Sequence, residues 1–429
     1  MSEKIAVQPE RLRAERLTIA SSCCGFTGEA VLTESAVIML FAGMLGAGES
    51  LKLLTTAVFP FLSGLLMLPM AYLAMKSTCR KMTVIATMLA AAAYILTVFT
   101  PLTGAFQVQA LLILLIVFAV SLSGFVAGWF PLLDTFLLPE RRTGFIGRMR
   151  FMHQLSAVTF LFVSGYLLGK NPSLQALQLV ILIAGIIFTG RAIFIWLLPP
   201  FKEEKVINVS WKNGLSIAWN NRNLRGKAFY VALLNLATYG ITPLWIINLQ
   251  KHGQPDNVLI YISAAALSGM MIGYLSVGRL RIADHGKMVQ LLQRVLLILS
   301  IILLFLPVEG RFAALPVGAV LLIYNFCVAL TSVNATALMM DAATPGNKTM
   351  AMAFFGALGN TGIGSSRVLA AMLVKSPLAA VLEKSGKLNI FEAALLCAVI
   401  LLSLMLAADI CRKFRNRSSI PGVAADADH

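Results

Sequence analysis

Twelve apolar stretches of roughly twenty residues or more, divided by short polar breaks, constrain this chain more than any other feature. A helix needs about 20 apolar residues to cross roughly 30 Å of hydrocarbon. In lipid, only helices and closed barrels satisfy their own backbone polar groups. The stretches run approximately 17–46, 51–75, 82–100, 107–133, 149–169, 174–198, 228–250, 257–278, 288–308, 313–340, 350–374 and 388–410. With 58% hydrophobic and 13% charged residues and a mean hydropathy of +0.82, the chain cannot clothe a soluble surface. The expected fold class is an all-α polytopic membrane protein, with twelve transmembrane helices in two six-helix bundles.

The net charge of +16 does not mark a nucleic-acid partner, because Lys and Arg fall in short clusters between apolar stretches. A nucleic-acid groove needs a continuous basic face with interleaved aromatics. Counted by segment, 26 of the 35 cations lie on the side of the N-terminus, among them Lys76, Arg80, Lys81, Arg141, Arg142, Arg148, Arg150, Arg279, Arg281 and Arg412. Seven lie on the other side, and Arg191 and Arg367 fall within spans. The positive-inside rule then predicts both termini in the cytoplasm of a bacterial inner membrane. The expected organisation is a cytoplasmic N-tail 1–16, a six-helix bundle 17–198, a cytoplasmic loop 199–227, a second bundle 228–410 and a cytoplasmic C-tail 411–429.

Met1–Arg16 lacks the short apolar core and cleavage site of a signal peptide, so the first span is read as retained. The six cysteines have no metal-ligand spacing, and no disulfide framework or metal site is expected. No Walker-type phosphate loop occurs, so ATP-driven pumping by this chain is not expected. The chain is read as a non-enzyme without a cofactor.

Two local patterns recur in the same order in each half. Ala71-Tyr72-Leu73 with Arg80-Lys81-Met82 is echoed by Gly273-Tyr274-Leu275 with Gly286-Lys287-Met288. Leu132-Leu133-Asp134 with Pro139 is echoed by Met339-Met340-Asp341 with Pro345. Both echoes fall at offsets of 202 to 207 residues, as a parallel six-span duplication requires.

With these features, and with Pro139-Glu140-Arg141-Arg142-Thr143-Gly144-Phe145-Ile146-Gly147-Arg148 after span four, the chain resembles the major facilitator superfamily. Gly165 and Gly169 in span five are compatible with its glycine-containing antiporter motif. The family's signature after span two is reduced here to its terminal basic pair, Arg80-Lys81. The resemblance implies a cavity between the halves, lined mainly by spans one, four, seven and ten, working by alternating access. It implies a secondary transporter of a small polar organic solute, acting as a monomer in lipid with protons as the coupling partner. An exporter of amphipathic compounds is an alternative, favoured by 19 Met and 25 Phe. A non-transporting membrane sensor on a transporter scaffold is another.

A carboxylate at the bilayer centre costs several kcal/mol unless protonated, paired or wetted. Glu29 and Glu34 in span one are therefore the coupling candidates. On a straight helix they point about 140° apart, so at most one should face the cavity. Thr33, one turn from Glu29, is a cavity candidate and is placed to share its hydrogen bonds. Arg367 in span eleven is an anion-binding or ion-paired candidate, with Glu392 as the expected partner, whereas Arg191 is expected to snorkel to the inner headgroups. Asn235, Tyr239 and Trp245 in span seven, with Tyr324, Asn325 and Thr331 in span ten, complete the cavity candidates. Gly240 and Pro243 suit a bend in span seven. Arg80, Lys81, Asp134, Arg142, Arg148 and Asp341 sit at cytoplasmic helix ends and are candidates for a gate. His153 is expected at the interface.

Overall fold

A computed structural model of the chain describes residues 9–201, 211–277, 280, 284–310, 312–344, 348–385 and 389–418. Every regular element among them is helical. The first half contains α1 (Pro9–Thr33), α2 (Ala36–Met44), α3 (Glu49–Lys76), α4 (Cys79–Thr97), α5 (Gln107–Asp134), α6 (Pro139–Leu168) and α7 (Leu174–Trp196). A short α8 (Trp211–Asn220) precedes the second half. That half contains α9 (Arg222–Thr238), α10 (Ile241–Lys251), α11 (Asp256–Val277), α12 (His285–Phe305), α13 (Ala314–Ala342), α14 (Lys348–Lys375), α15 (Pro377–Ser385) and α16 (Ile390–Ser418).

Ten segments are long and apolar enough to cross a membrane, α9 and α10 counting as one. The pair α1–α2, bent by 47°, makes an eleventh. The twelfth, α14, is 28 residues long but carries Asn360, Ser365, Ser366, Arg367 and four glycines. It packs against α3 and α9, where protein replaces lipid and polar side chains find partners. An even number of crossings puts the start of α1 and the end of α16 on one side, the terminal face.

Within the first half, α1 packs on α6 and α7, and α4 on α5 and α7; within the second, α13 packs on α11 and α12. The halves meet where α3 crosses α14 and α6 crosses α11. Small residues allow these crossings. A Cβ on Gly364 would lie 2.3 Å from the Phe61 Cα, and one on Gly64 would lie 2.4 Å from the Thr361 backbone nitrogen. A Cβ on Gly165 would lie 2.6 Å from the Tyr261 ring, so Gly165 serves the α6–α11 crossing.

One sequence expectation is corrected. The helix that carries span one starts at Pro9, and span one is broken at residues 34–35. Ser35 terminates it: its backbone is extended (φ −116°, ψ 161°), and its hydroxyl accepts from the Val37 N–H as the cap of α2. Span seven breaks likewise at Tyr239–Gly240, between α9 and α10. Glu34 and Tyr239 are 205 positions apart, within the offsets of the sequence duplication, so the two interruptions occupy matching places in the two halves.

Candidate functional site

Broken helices leave backbone carbonyls without donors. Three such carbonyls converge on one side chain, Arg367 of α14, which is 2% exposed. Its Nη1 donates to the Thr33 carbonyl at the end of α1 (3.0 Å) and to the Thr56 carbonyl of α3 (2.7 Å). Thr56 stands four residues before Pro60, which has no N–H to return the helical hydrogen bond. The Nε faces the Tyr239 carbonyl at the end of α9 at 3.5 Å. The Nη2 donates to Glu34 at 2.6 Å. Arg367 thus binds the interruptions of span one and span seven and the proline site of span two to one charge.

The pair Glu34–Arg367 joins the two halves, because Glu34 lies in the break between α1 and α2 and Arg367 in α14. The break also overturns the straight-helix angle: Glu34 leaves the helix, while Glu29 stays on α1. The expected partner of Arg367, Glu392, instead caps α16: its carboxylate accepts from the Asn389 N–H at 2.9 Å, and Asn389 Oδ1 accepts from the Glu392 N–H at 2.8 Å.

Glu34 and Arg367 reach the wall of a cavity of about 250 Å³ between the halves. From the second half, Thr238, Tyr239, Thr242, Tyr324 and Asn325 also line it. Asn325 donates to the Thr242 hydroxyl (3.1 Å), and the Tyr324 hydroxyl donates to the Thr238 carbonyl (3.2 Å). From the first half come Phe26 of α1 and Arg150, His153 and Gln154 of α6. Leu267, Met270 and Tyr274 of α11 line it from the second half, where α11 packs on α6. Span five, not span four, therefore joins span one in supplying the first half's polar wall.

Sequence placed none of the three α6 residues in the cavity: Arg150 was counted among the cations of the N-terminal side and His153 was expected at the interface. His153 stacks on Phe26 (ring centroids 4.4 Å apart) and its Nδ1 is hydrogen-bonded to the Ser22 hydroxyl at 2.9 Å, so it is not interfacial. Arg150 lies over the Tyr274 ring at 5.1 Å. Their common signal was available: Arg150, His153 and Gln154 recur at spacings of three and four, one face of a helix.

The second coupling candidate, Glu29, accepts from Arg191 of α7 at 3.0 Å, wholly inside the first half. Arg191 does not snorkel; it is 3% exposed and lies over Phe125 at 4.3 Å and Phe188 at 5.1 Å. Gly25 makes its space, since a Cβ there would lie 1.5 Å from the Arg191 Nε. Thr33 does not share hydrogen bonds with the Glu29 carboxylate; its hydroxyl donates to the Glu29 backbone carbonyl at 2.9 Å.

Thr33 does not line the cavity, and neither do three further cavity candidates. Asn235 donates to the Gly359 carbonyl (3.1 Å) and joins α9 to α14. Thr331 donates back to the Cys327 carbonyl at 2.8 Å on its own helix. Trp245 lies past the break in span seven, 1% exposed within the main apolar core.

At the terminal face, Arg142 pairs with Asp134 (2.7 Å), while Arg141 grips Glu15 with two hydrogen bonds of 2.9 and 2.8 Å. Arg148 is 3.7 Å from Glu15. All five residues belong to the first half, so these pairs brace α1, α5 and α6 against one another rather than bridging the halves. Glu15, the hub of the group, was missed because an acidic residue in a mixed-charge tail reads as solvated. Arg80 donates to the Trp196 carbonyl, and Lys81 and Asp341 are exposed. The side chain of Lys348 lies outside the described residues, as do Arg279, Arg281 and Pro345.

On the opposite face, the Lys52 ammonium donates to Gln250 Oε1 (3.0 Å), and the Asp256 N–H donates to the Lys170 carbonyl (3.1 Å). Deeper, the Ala36 N–H donates to the Ser263 hydroxyl at 2.9 Å. Each of these bonds crosses between the halves.

Comparison with known proteins agrees with this architecture. The chain is similar in structure to the nucleoside transporter NupG, with a TM-score of 0.67 and 11% identity over 94% of this chain and 99% of that one. It is similar to a bacterial homologue of the human lysosomal transporter Spinster in an inward-facing, unoccupied conformation, with a TM-score of 0.65 and 15% identity over 94% and 96%. The E. coli fucose:proton symporter FucP gives a TM-score of 0.61 and 16% identity over 93% and 97%. None of the curated protein sequences compared matches. The family profile described as Major Facilitator Superfamily matches residues 18–366. The chain belongs to the major facilitator superfamily, as a multi-pass membrane protein of the transporter fold.

Proposed function

We propose that this protein is a secondary active transporter that moves a small polar organic solute by alternating access and couples the movement to protons at Glu34. The observation that carries the reading is the ion pair between Glu34 and Arg367, which spans the two halves at the wall of the central cavity. The Glu34 side chain is 36% exposed while Arg367 is 2% exposed, so a proton arriving through the cavity meets the carboxylate first.

Protonating Glu34 removes the charge that Arg367 balances. Arg367 then keeps only neutral acceptors and loses the Coulombic attraction of the carboxylate. The clasp weakens, and the contacts Lys52–Gln250, Lys170–Asp256 and Ala36–Ser263 on the opposite side are free to part. Loss of the proton restores the pair and reseals that side. The positive bias of the terminal face supports a cytoplasmic location for it, which makes the opposite face the outer one. The chain is proposed to work as a monomer in the bacterial inner membrane, each copy holding one complete cavity.

The test is uptake into proteoliposomes of a panel of labelled sugars, nucleosides and carboxylates, with and without an inward proton gradient. The expected result is accumulation of one class that collapses with a protonophore and is lost in Glu34→Gln. Accumulation indifferent to the gradient would remove the coupling role from Glu34.

A further inference from the structure

The charges around the cavity do not balance. Two guanidiniums, Arg150 and Arg367, reach it, but only one carboxylate, Glu34. That carboxylate belongs to Arg367 at 2.6 Å. Arg150 has no carboxylate partner among the described residues and rests on the face of Tyr274. Even with His153 uncharged, the cavity therefore keeps one positive charge. Next to it, one turn along α6, Gln154 is 1% exposed and its Oε1 has no hydrogen-bond donor. Besides His153 and Tyr274, the lining includes the apolar side chains of Phe26, Leu267 and Met270.

Each of these features asks for a complementary group. An unbalanced guanidinium is stabilised by an anion, and the planar fork of arginine matches a carboxylate. A buried oxygen without a donor is costly and is relieved by a hydroxyl. Aromatic and methionine side chains accept a flat apolar body. A neutral sugar or nucleoside answers the hydroxyl demand but leaves the charge of Arg150 unanswered.

We infer that the solute is a small organic carboxylate with an apolar body and a hydroxyl beside the carboxyl group, its carboxylate on Arg150 and its hydroxyl donating to Gln154. The inference deepens the proposed transport function and rests on the cavity being the solute site. Glu34 and Arg367 stay paired when such a solute binds, so the coupling pair and the recognition pair are separate side chains of one cavity.

The test is calorimetric titration of the purified full-length protein in detergent with three probes: mandelate, its neutral analogue mandelamide, and phenylacetate, which lacks the hydroxyl. Mandelate is expected to bind at least about tenfold more tightly than mandelamide, which is about 1.4 kcal/mol, and several-fold more tightly than phenylacetate. Arg150→Gln is expected to erase the preference for mandelate over mandelamide, and Arg150→Lys to keep part of it. Gln154→Leu is expected to erase only the preference over phenylacetate. Equal binding of mandelate and mandelamide, a preference that survives Arg150→Gln, or no mandelate binding at millimolar concentration would each overturn the inference. A retained circular dichroism spectrum and a monodisperse elution profile certify that each variant is folded. A protein whose halves alternate but which ignores mandelate loses only the substrate class. One that binds mandelate through Arg150 without alternating keeps the site and loses the transport function.

Discussion

Glycine to alanine inside a helix ordinarily stabilises by about 1 kcal/mol, because alanine loses less backbone freedom on folding. At Gly25 the sign should reverse. An alanine Cβ there would sit 1.5 Å from Nε, 2.1 Å from Cζ and 2.4 Å from Nη2 of Arg191. Ordinary contact requires roughly 3.5 Å, so the guanidinium must retreat by about 2 Å. The pair with Glu29, now at 3.0 Å, would stretch to about 5 Å. At an effective dielectric of about 20 the attraction falls from roughly 5.5 to roughly 3.3 kcal/mol. The loss of about 2 kcal/mol is joined by the hydrogen bond itself, which is worth about 1.5–3 kcal/mol for a charged group and overlaps with that loss. Breaking a buried pair outright costs about 3–5 kcal/mol. Taking about 3 kcal/mol for the disrupted pair and returning about 1 kcal/mol of propensity, Gly25→Ala should destabilise by about 2 kcal/mol. The assay is SDS-induced unfolding in mixed micelles, followed by circular dichroism, for Gly25→Ala alone and in an Arg191→Met background. In that background the clash is gone, and the alanine should become neutral or stabilising. A neutral or stabilising Gly25→Ala in the wild-type background would refute the cradle.

Other perturbations separate the parts of the site. Pro60→Ala returns an N–H to the Thr56 carbonyl in competition with Arg367; the Glu34–Arg367 coupling energy in a double-mutant cycle should fall by about 1 kcal/mol, and an unchanged cycle would contradict the role given to the proline. Lys52→Ala removes the bond to Gln250 on the opposite face and should shift the population toward opening there by about 1 kcal/mol, roughly fivefold, read from the reactivity of cysteines placed along α2. Unchanged reactivity would show that the bond does not hold that side shut. Glu15→Gln leaves Arg141 and Arg148 without their carboxylate; it should lower thermal stability without altering transport, and a transport defect at full stability would make the group a gate after all.

The architecture was legible because hydrophobic length and cation placement follow from the bilayer itself. Twelve spans and a six-plus-six division were readable from composition and spacing alone. Residues at helix interruptions were legible only in part. Gly240 and Pro243 announced the bend in span seven, whereas Thr33-Glu34-Ser35 carries neither glycine nor proline, so the break in span one was hidden. The assignment of Glu29 and Glu34 to two faces of one helix failed for that reason. Arg367 could be singled out as a buried charge, but its partners come from positions 33, 34, 56 and 239, and no periodicity links those. Arg191 was misread because snorkelling depends on what surrounds an arginine, and the space left by Gly25 is a tertiary fact. Arg150 and His153 were missed as cavity groups because α6 runs unbroken from the interface into the bilayer, and depth along a helix is poorly fixed by sequence.

The central claim is that protonation of Glu34 governs the alternation of the two halves, and the distance between them as a function of pH tests it most directly. Spin labels at Leu102 and Glu309 report on the opposite face, and labels at Ser77 and Lys287 report on the terminal face; all four positions are exposed. Exposed Cys397 and Cys411 are replaced in the background, and double electron–electron resonance is recorded in nanodiscs across a series of pH values. As the pH falls, the 102–309 distance should lengthen while the 77–287 distance shortens, and in Glu34→Gln both should stay at their low-pH values at every pH. Distances that ignore pH in the wild type, or that follow it equally in Glu34→Gln, would contradict the account.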